Sequence, residues 1–358
     1  MKPRERVLAA LRRQPVDRVP RHMPWVSQAH ERLGLTDHDA FLDHFGCEVR
    51  FVRPAPLPRE EEFEAYLRSL PHDIYIGNAD QLRTYFEWDY DPTLPSNASL
   101  ERAVEEILPD IAASERYVGL KEKVDAYHSR DLAVVGDPTR LGGVMFEAAW
   151  RLRGFNVTLQ DVAADPERVE WLLDRLTEMA SAAAARFALA GVDILILNDD
   201  VGMPTTMIVG PSAWRQLFKG RLAAIVRAAL SVRPEMLFYY HSDGFIEPII
   251  PDLVEIGVDV IQPVQPDVMD PALLKRLYGD RISFWGTVGN PRLFCDGTPE
   301  DVKAEVKRRI ETVGPTGLLL APAYDMDLPD VRWENVLAFF SSADEFGAAT
   351  AADRSPTP

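Results

Sequence analysis

The chain alternates between two hydrophobic rhythms. Short apolar runs of strand length occur at 132–135, 192–197, 236–240, 258–261, 282–285 and 317–320, and each breaks off in a polar tip. Between them, apolar residues recur every three or four positions, as one face of a helix requires. The unit is clearest from Met236 to Gln265. There Met236–Tyr240 is a strand and His241-Ser242-Asp243-Gly244 its tip. Leu253, Val254 and Ile256 mark the helical segment, which Gly257 stops. Val258–Ile261 is the next strand and Gln262-Pro263-Val264-Gln265 its tip. Upstream, the pattern predicts a helix over Pro3–Arg13, a first short strand at Pro24–Val26, a helix over His30–Phe45 and a strand over Cys47–Val52. Later helices start at Asp165-Pro166, at Ser212 as a cap, and at Thr298-Pro299-Glu300-Asp301. Strand, tip and helix in repetition build a parallel sheet with all tips on one face. The expected class is α/β, a (β/α)8 TIM-type barrel, with a doubly wound open sheet as the alternative. No Gly-x-Gly-x-x-Gly follows a strand, which weighs against a dinucleotide fold.

Residues 1–347 read as one barrel domain. Within it, about 54–100 is rich in Tyr, Trp, Asp and Pro without a clean period, an excursion expected near the barrel mouth. The tail 348–358 is small and polar and expected to be disordered. A formal net charge of −17 argues against nucleic-acid and anionic membrane partners. Cys47 and Cys295 are too few for a disulfide framework or a Cys-rich zinc site. The sequence shows no apolar leader and no apolar run long enough to span a bilayer, so a cytoplasmic enzyme is expected.

In such a barrel, chemistry collects at the C-terminal ends of the strands. The tips carry Asp137, Asn198-Asp199-Asp200, His241 with Asp243, Gln262 with Gln265, Asn290, and Tyr324-Asp325. A strand-end carboxylate serves equally well as a helix cap. Asp199 and Asp200 are adjacent, so on extended chain only one faces inward. His241 and Asp243, with a glycine behind them, form the sharpest constellation. They suit a metal half-site completed by Asp200 or Asp325. They suit equally an acid–base pair in which Asp243 sets the imidazole tautomer. His241, Asp243, Asp200 and Tyr324 are therefore the candidate catalytic residues, with His241, Asp243 and Asp200 doubling as candidate metal ligands. Asn198, Gln262, Gln265 and Asp325 are the candidate substrate contacts. For Tyr324, packing is as good a reading as contact.

Several stretches together resemble the uroporphyrinogen decarboxylase (URO-D) superfamily, which includes the methyltransferases of corrinoid-dependent methyl transfer. They are Arg4–Leu11 with Asp17-Arg18-Val19-Pro20, Phe146-Glu147 with Arg153-Gly154-Phe155, and Gly191-Val192-Asp193 with Asp199-Asp200. His241–Gly244, Gly257-Val258-Asp259 with Pro263–Pro266, Gly279-Asp280-Arg281 and Phe284-Trp285-Gly286 complete the set. The resemblance implies a (β/α)8 fold and a homodimer. Two departures shape the functional expectation. Where the decarboxylases carry an Arg-Gln-Ala-Gly-Arg segment that grips substrate carboxylates, this chain has Arg21–Gln28, with neither arginine in place. Where the methyltransferases hold zinc with His-x-Cys and a later Cys, this chain has His241-Ser242-Asp243 and Ala321-Pro322-Ala323-Tyr324. A thiolate zinc site is not expected; an oxygen-rich divalent-metal site is. The leading expectation is a methyltransferase- or demethylase-like member moving a methyl group from a small methylated substrate to a corrinoid protein or a pterin. A uroporphyrinogen decarboxylase-like carboxy-lyase of porphyrin biosynthesis, needing no cofactor, is the alternative. A non-catalytic barrel that binds a small molecule is the third.

Overall fold

The computed structural model describes residues 1–55, 113–138, 142–153 and 155–348. Most of the expected excursion at 54–100 and nearly all of the expected tail lie outside the described residues. Seven strands run in chain order: β1 (Val49–Val52), β2 (Ala133–Gly136), β3 (Ile194–Asn198), β4 (Leu237–His241), β5 (Val260–Gln262), β6 (Ser283–Trp285) and β7 (Leu318–Leu319). Each pairs in parallel with the next. The segment at 20–22 joins the far side of β7: Arg21 bridges Leu320 in parallel. The His22 N–H donates to Leu320 O at 2.9 Å, and Leu320 N–H donates to Pro20 O at 2.9 Å. The His22 ring rests 5.3 Å from the Phe51 ring of β1, between centroids. The chain thus supplies its eighth stave from this short segment, and the fold is a TIM-type (β/α)8 barrel.

The first stave therefore lies at 20–22, a few residues before the expected Pro24–Val26. Pro24 has no N–H to give a ladder, and the chain is irregular there. The helix expected over His30–Phe45 is two helices, Gln28–Leu33 and His38–His44, parted where Gly34 takes φ +68°. Ser212 lies inside a helix that opens at Pro211 behind Gly210, and it does not cap it. That helix passes through a π turn at Arg215–Lys219 before continuing as Gly220–Leu230. The helix Pro166–Ala190 runs unbroken for 25 residues until Gly191. Thr298 and Asp301 cap Pro299–Val313 reciprocally, the Asp301 N–H reaching Thr298 Oγ1 at 3.2 Å and the Thr298 N–H reaching Asp301 Oδ2 at 2.9 Å.

Strand alternation divides the core in two. Val49, Ala133, Val135, Ile194, Ile196, Leu237, Tyr239, Val260, Trp285 and Leu319 face inward and fill the barrel. Leu195, Leu197, Phe238, Tyr240, Ile261, Phe284 and Leu318 face outward into the larger core under the helices. Burial on both faces is what makes these strands near-continuous apolar runs. The helix Pro3–Leu11 closes the bottom of the barrel, setting Val7 and Leu11 against the interior residues. The Gly317 N–H donates to Ala10 O at 2.9 Å, and Ser283 Oγ donates to Leu11 O at 2.8 Å.

Asp193, just before β3, fastens this lower end. It is almost fully buried. It takes Arg4 NH2 at 2.6 Å, His128 Nε2 at 3.0 Å and the Val134 N–H at 3.0 Å. Removing one partner of a buried charge pair costs on the order of 3 kcal/mol, because the other is left without compensation. Asp193→Ala is expected to lose about that much. Chemical denaturation of the variant beside wild type, with the midpoint and slope fitted together, checks it; an unchanged midpoint contradicts it.

Candidate active site at the barrel mouth

The upper rim of the sheet places one polar residue on each of three adjacent strands in register: Asn198 opposite His241, and His241 opposite Gln262. These follow the inward positions Ile196, Tyr239 and Val260, so alternation aims them at the mouth. Beyond the rim, two tips meet. Asp243 N–H donates to Asp200 Oδ1 at 2.8 Å, and the same oxygen lies 3.6 Å from His241 Nε2. Gln265 holds Asp243 from the other side: its Nε2 donates to Asp243 Oδ1 at 3.0 Å, and its Oε1 accepts the Gly244 N–H at 2.9 Å. His241 Nδ1 and the Tyr239 hydroxyl both reach Gln262 Oε1.

The two tips can meet because glycine stands on both. A Cβ on Gly202 would lie 2.2 Å from Asp243 O, and one on Gly244 would lie 2.6 Å from the Gly202 carbonyl carbon. Gly244 also takes φ +78°, which disfavours any other residue. Ser242 points away from the mouth: its Oγ accepts the Val201 N–H at 3.0 Å and donates to Asp243 O at 3.0 Å. In His241-Ser242-Asp243 the serine fixes the loops and the outer two residues face the site.

Enclosure and the Asp200 charge set the proton affinities of the groups around it. Enclosure by protein, then the Asp200 charge and more weakly Asp325, push the Asp243 carboxyl up to about 7 against the pull of His241. Asp325 is likewise raised, by its surroundings first and then by Asp200 and Asp327. For His241, desolvation works against the imidazolium, but Asp200, Asp243 and the Gln262 bond outweigh it and its pKa stands above the ordinary value. Asp243 is open to water from above even though protein surrounds its base. Its affinity is therefore that of a carboxylate in a cup. The arrangement can hold or release a proton near neutral pH, which is what general acid–base work needs.

The other expected residues fall into place unevenly. Asp199 faces the helix side, accepting the Phe146 and Glu147 N–H groups at 3.0 and 2.9 Å, and so caps a helix. Asn198 Nδ2 donates to Gly142 O at 2.6 Å. Both ends of the Gln265 amide are engaged within the protein. Tyr324 donates its hydroxyl to Asp267. Burial, then that bond, keeps its phenol protonated well above the ordinary range. Asn290 lies in a separate groove with Asp267, Glu305 and Arg309, of about 530 Å³. Among the described residues, no three His, Cys, Asp or Glu side chains converge as a metal cage. His241 Nδ1, one Asp243 oxygen and one Asp200 oxygen are already spent on protein partners. Those bonds engage one atom of each expected ligand, as outer-sphere partners do, and leave His241 Nε2 and the second oxygen of each carboxylate. Cys47 and Cys295 are buried elsewhere.

Two residues of the site escaped sequence reading. Tyr239 stacks on Trp285 with centroids 5.0 Å apart, forming the floor beneath His241. The buried His22 ring stands 5.5 Å from Trp285 at the same level. Its burial, then His38 and Arg50, bring its pKa down to about 3, so it stays neutral. The signal for Tyr239 was present, two residues before His241 on the same strand face. Nothing in the sequence linked His22 to the far end of the chain.

The Asp200 charge is the common cause of the raised affinities of His241 and Asp243. In Asp200→Asn both groups should titrate lower than in wild type, by on the order of one pH unit. The amide oxygen can still accept the Asp243 N–H, so the geometry is kept. Histidine- and aspartate-selective NMR titration checks this, and an unmoved His241 contradicts it.

Residues 133–346 match the family model described as Uroporphyrinogen decarboxylase (URO-D). A methylcobamide:CoM methyltransferase, MtaA, from Methanosarcina barkeri is 29% identical over 180 residues, covering 50% of this chain and 49% of that protein. The chain spans about half the length of that relative. A uroporphyrinogen decarboxylase from Chromohalobacter salexigens is 25% identical over 334 residues, covering 87% of this chain and 88% of that protein. A solved structure of a methyltransferase from Methanosarcina mazei superposes with a TM-score of 0.66 at 20% identity, covering 97% of this chain and 99% of that one. That likeness concerns the fold.

Proposed function

The chain belongs to the uroporphyrinogen decarboxylase family, and from that premise we propose that it is a methyltransferase-like member. It moves a methyl group between a small methylated compound and a corrinoid or pterin acceptor. The observation that carries this reading is where two arginines point. Arg18, near the segment with which the decarboxylases grip carboxylates, pairs with buried Glu48 at 2.7 Å. Arg21 turns out of the barrel to Asp344, to Phe340 O at 3.3 Å and to Phe45 O at 2.9 Å. Both are spent on the scaffold, while Asp200, Asp243 and Asp325 crowd the mouth. Among the described residues, those three carboxyls have no arginine or lysine ion pair, and a polycarboxylate desolvated beside them would meet repulsion where it needs cations.

The reaction asks for a proton at the leaving oxygen. As the carbon–oxygen bond of the methyl donor breaks, the oxygen keeps the electron pair and takes a proton from Asp243 or His241. The methyl group passes to the nucleophilic acceptor. Asp200 holds the pair together, Gln265 fixes Asp243, and Asn198, Tyr324 and Asp325 border the space a donor would fill. No step is drawn through a metal. A corrinoid-carrying protein as partner and a homodimer, both expected from the family resemblance, go with this reading, as does the cytoplasmic setting expected from the sequence.

The decarboxylase reading retains one support, the relative of that activity whose similarity spans most of both chains. One experiment separates the two. The purified full chain is given cob(I)alamin with methanol or a methoxybenzoate, and formation of methylcobalamin is followed by absorbance. Uroporphyrinogen III turnover is assayed in parallel. Methyl transfer is expected, falling about 100-fold or more in His241→Gln and Asp243→Asn, the usual loss of a general acid. Uroporphyrinogen consumed with no methyl transfer overturns the proposal.

A further inference from the structure

Gln262 stands where two groups converge, and its amide has only one way to satisfy them. Its Oε1 receives both the Tyr239 hydroxyl and His241 Nδ1. A carbonyl oxygen has two lone pairs and can accept from both. Tyr239 is 5% exposed. Burial, then Asp137, Asp243 and Asp200, hold its phenol protonated well above the ordinary range. Its hydrogen needs an acceptor, and Gln262 Oε1 is the one it has among the described residues. Turned over, the amide would offer N–H to the tyrosine oxygen and leave a buried hydroxyl hydrogen unbonded, at a cost. Tyr239 is itself pinned by stacking on Trp285. The orientation of the Gln262 amide is thereby set from below, and an oxygen facing Nδ1 requires that Nδ1 carry a hydrogen.

We infer that Gln262 is a positioning residue that fixes His241 with its proton on Nδ1, making Nε2, the nitrogen beside Asp200, the one that exchanges protons with substrate. Tyr239 acts through Gln262 by locking the amide. The other end of the amide remains: Gln262 Nε2 makes no hydrogen bond among the described residues. It lies against Gly286 at the mouth, 3.5 Å from where a Cβ on that glycine would be. The same side chain thus offers a donor toward the site, suited to an ether, hydroxyl or carbonyl oxygen of the substrate. A single glutamine orients the acid–base group with its oxygen and meets a substrate oxygen with its nitrogen. This deepens the proposed function, since it rests on His241 handling the proton.

The test reads the resting full-length protein, so its result stands whether or not methyl transfer is observed. The chain is labelled with ring-15N histidine, and the His241 signals are identified among the seven histidines by their loss in His241→Gln. Above the pH at which the ring becomes neutral, the nitrogen bearing hydrogen is distinguished from the bare one by its shift. Wild type is expected to be predominantly the Nδ1–H form. Gln262→Leu should convert it to a mixture dominated by Nε2–H, the form free histidine prefers. Gln262→Glu keeps an acceptor at that point and should preserve Nδ1–H while removing the donor that faces the mouth. A bare Nδ1 in wild type overturns the inference without any variant. So does an unchanged tautomer in folded Gln262→Leu, or an Nε2–H form in Gln262→Glu.

Discussion

The site depends on a backbone contact. The tips after β3 and β4 touch where Gly202 meets Asp243 O and Gly244 meets Gly202, so closely that no Cβ fits on either. Ser242 bonds across the same seam to Val201. Because the chains meet there, the Asp243 N–H reaches Asp200, and Asp200 comes within ion-pair distance of His241. The electrostatics of the mouth follow from this steric fact. Two acidic groups and an imidazole are held together by loops that cannot relax apart without losing their hydrogen bonds. Enclosure, and then the repulsion of Asp200, appears as raised proton affinity of Asp243 and Asp325 rather than as separation.

The two ends of the barrel treat charge in opposite ways. At the bottom, Asp193 is neutralised by Arg4, with His128 and Arg233 beside it, and works as a fastener. At the top, Asp200, Asp243 and Asp325 share one imidazole. Arg18 and Arg21 are part of the frame, pairing with Glu48 and Asp344. The same residue types thus hold the scaffold at one end and tune proton chemistry at the other. What differs, among the described residues, is that Asp193 has arginine partners while Asp200, Asp243 and Asp325 have no arginine or lysine ion pair.

Much of this was legible in the sequence. The runs at 192–197, 236–240 and 282–285 became strands, because burial on both faces of a barrel writes itself as uninterrupted apolar residues. The convergence of His241, Asp243 and Asp200 followed from their places at the tips of consecutive strands. Illegible was whatever depended on partners far along the chain. The first stave was expected at Pro24–Val26, but its position is decided by Leu320, some three hundred residues on. Gln262 and Gln265 read as equals in a polar tip. Only their partners, Tyr239 with His241 and Asp243 with Gly244, separate their duties. Asp199 and Asp200 were correctly opposed, yet which one faced inward needed the phase of β3.

The plug formed by Pro3–Leu11 bears on how the chain reaches its native state. Its carbonyls receive Gly317 and Ser283, and the neighbouring stave pairs with Leu320. Arg4 and Arg6 of this helix pair with Asp193 and Glu48, but the barrel it plugs is complete only when β7 is in place. Until then its apolar face, with Val7 and Leu11, has no barrel to enter. Contacts of such long sequence separation come late and slow a folding reaction. Closure of this barrel is accordingly a late event in folding, because it joins segments some three hundred residues apart.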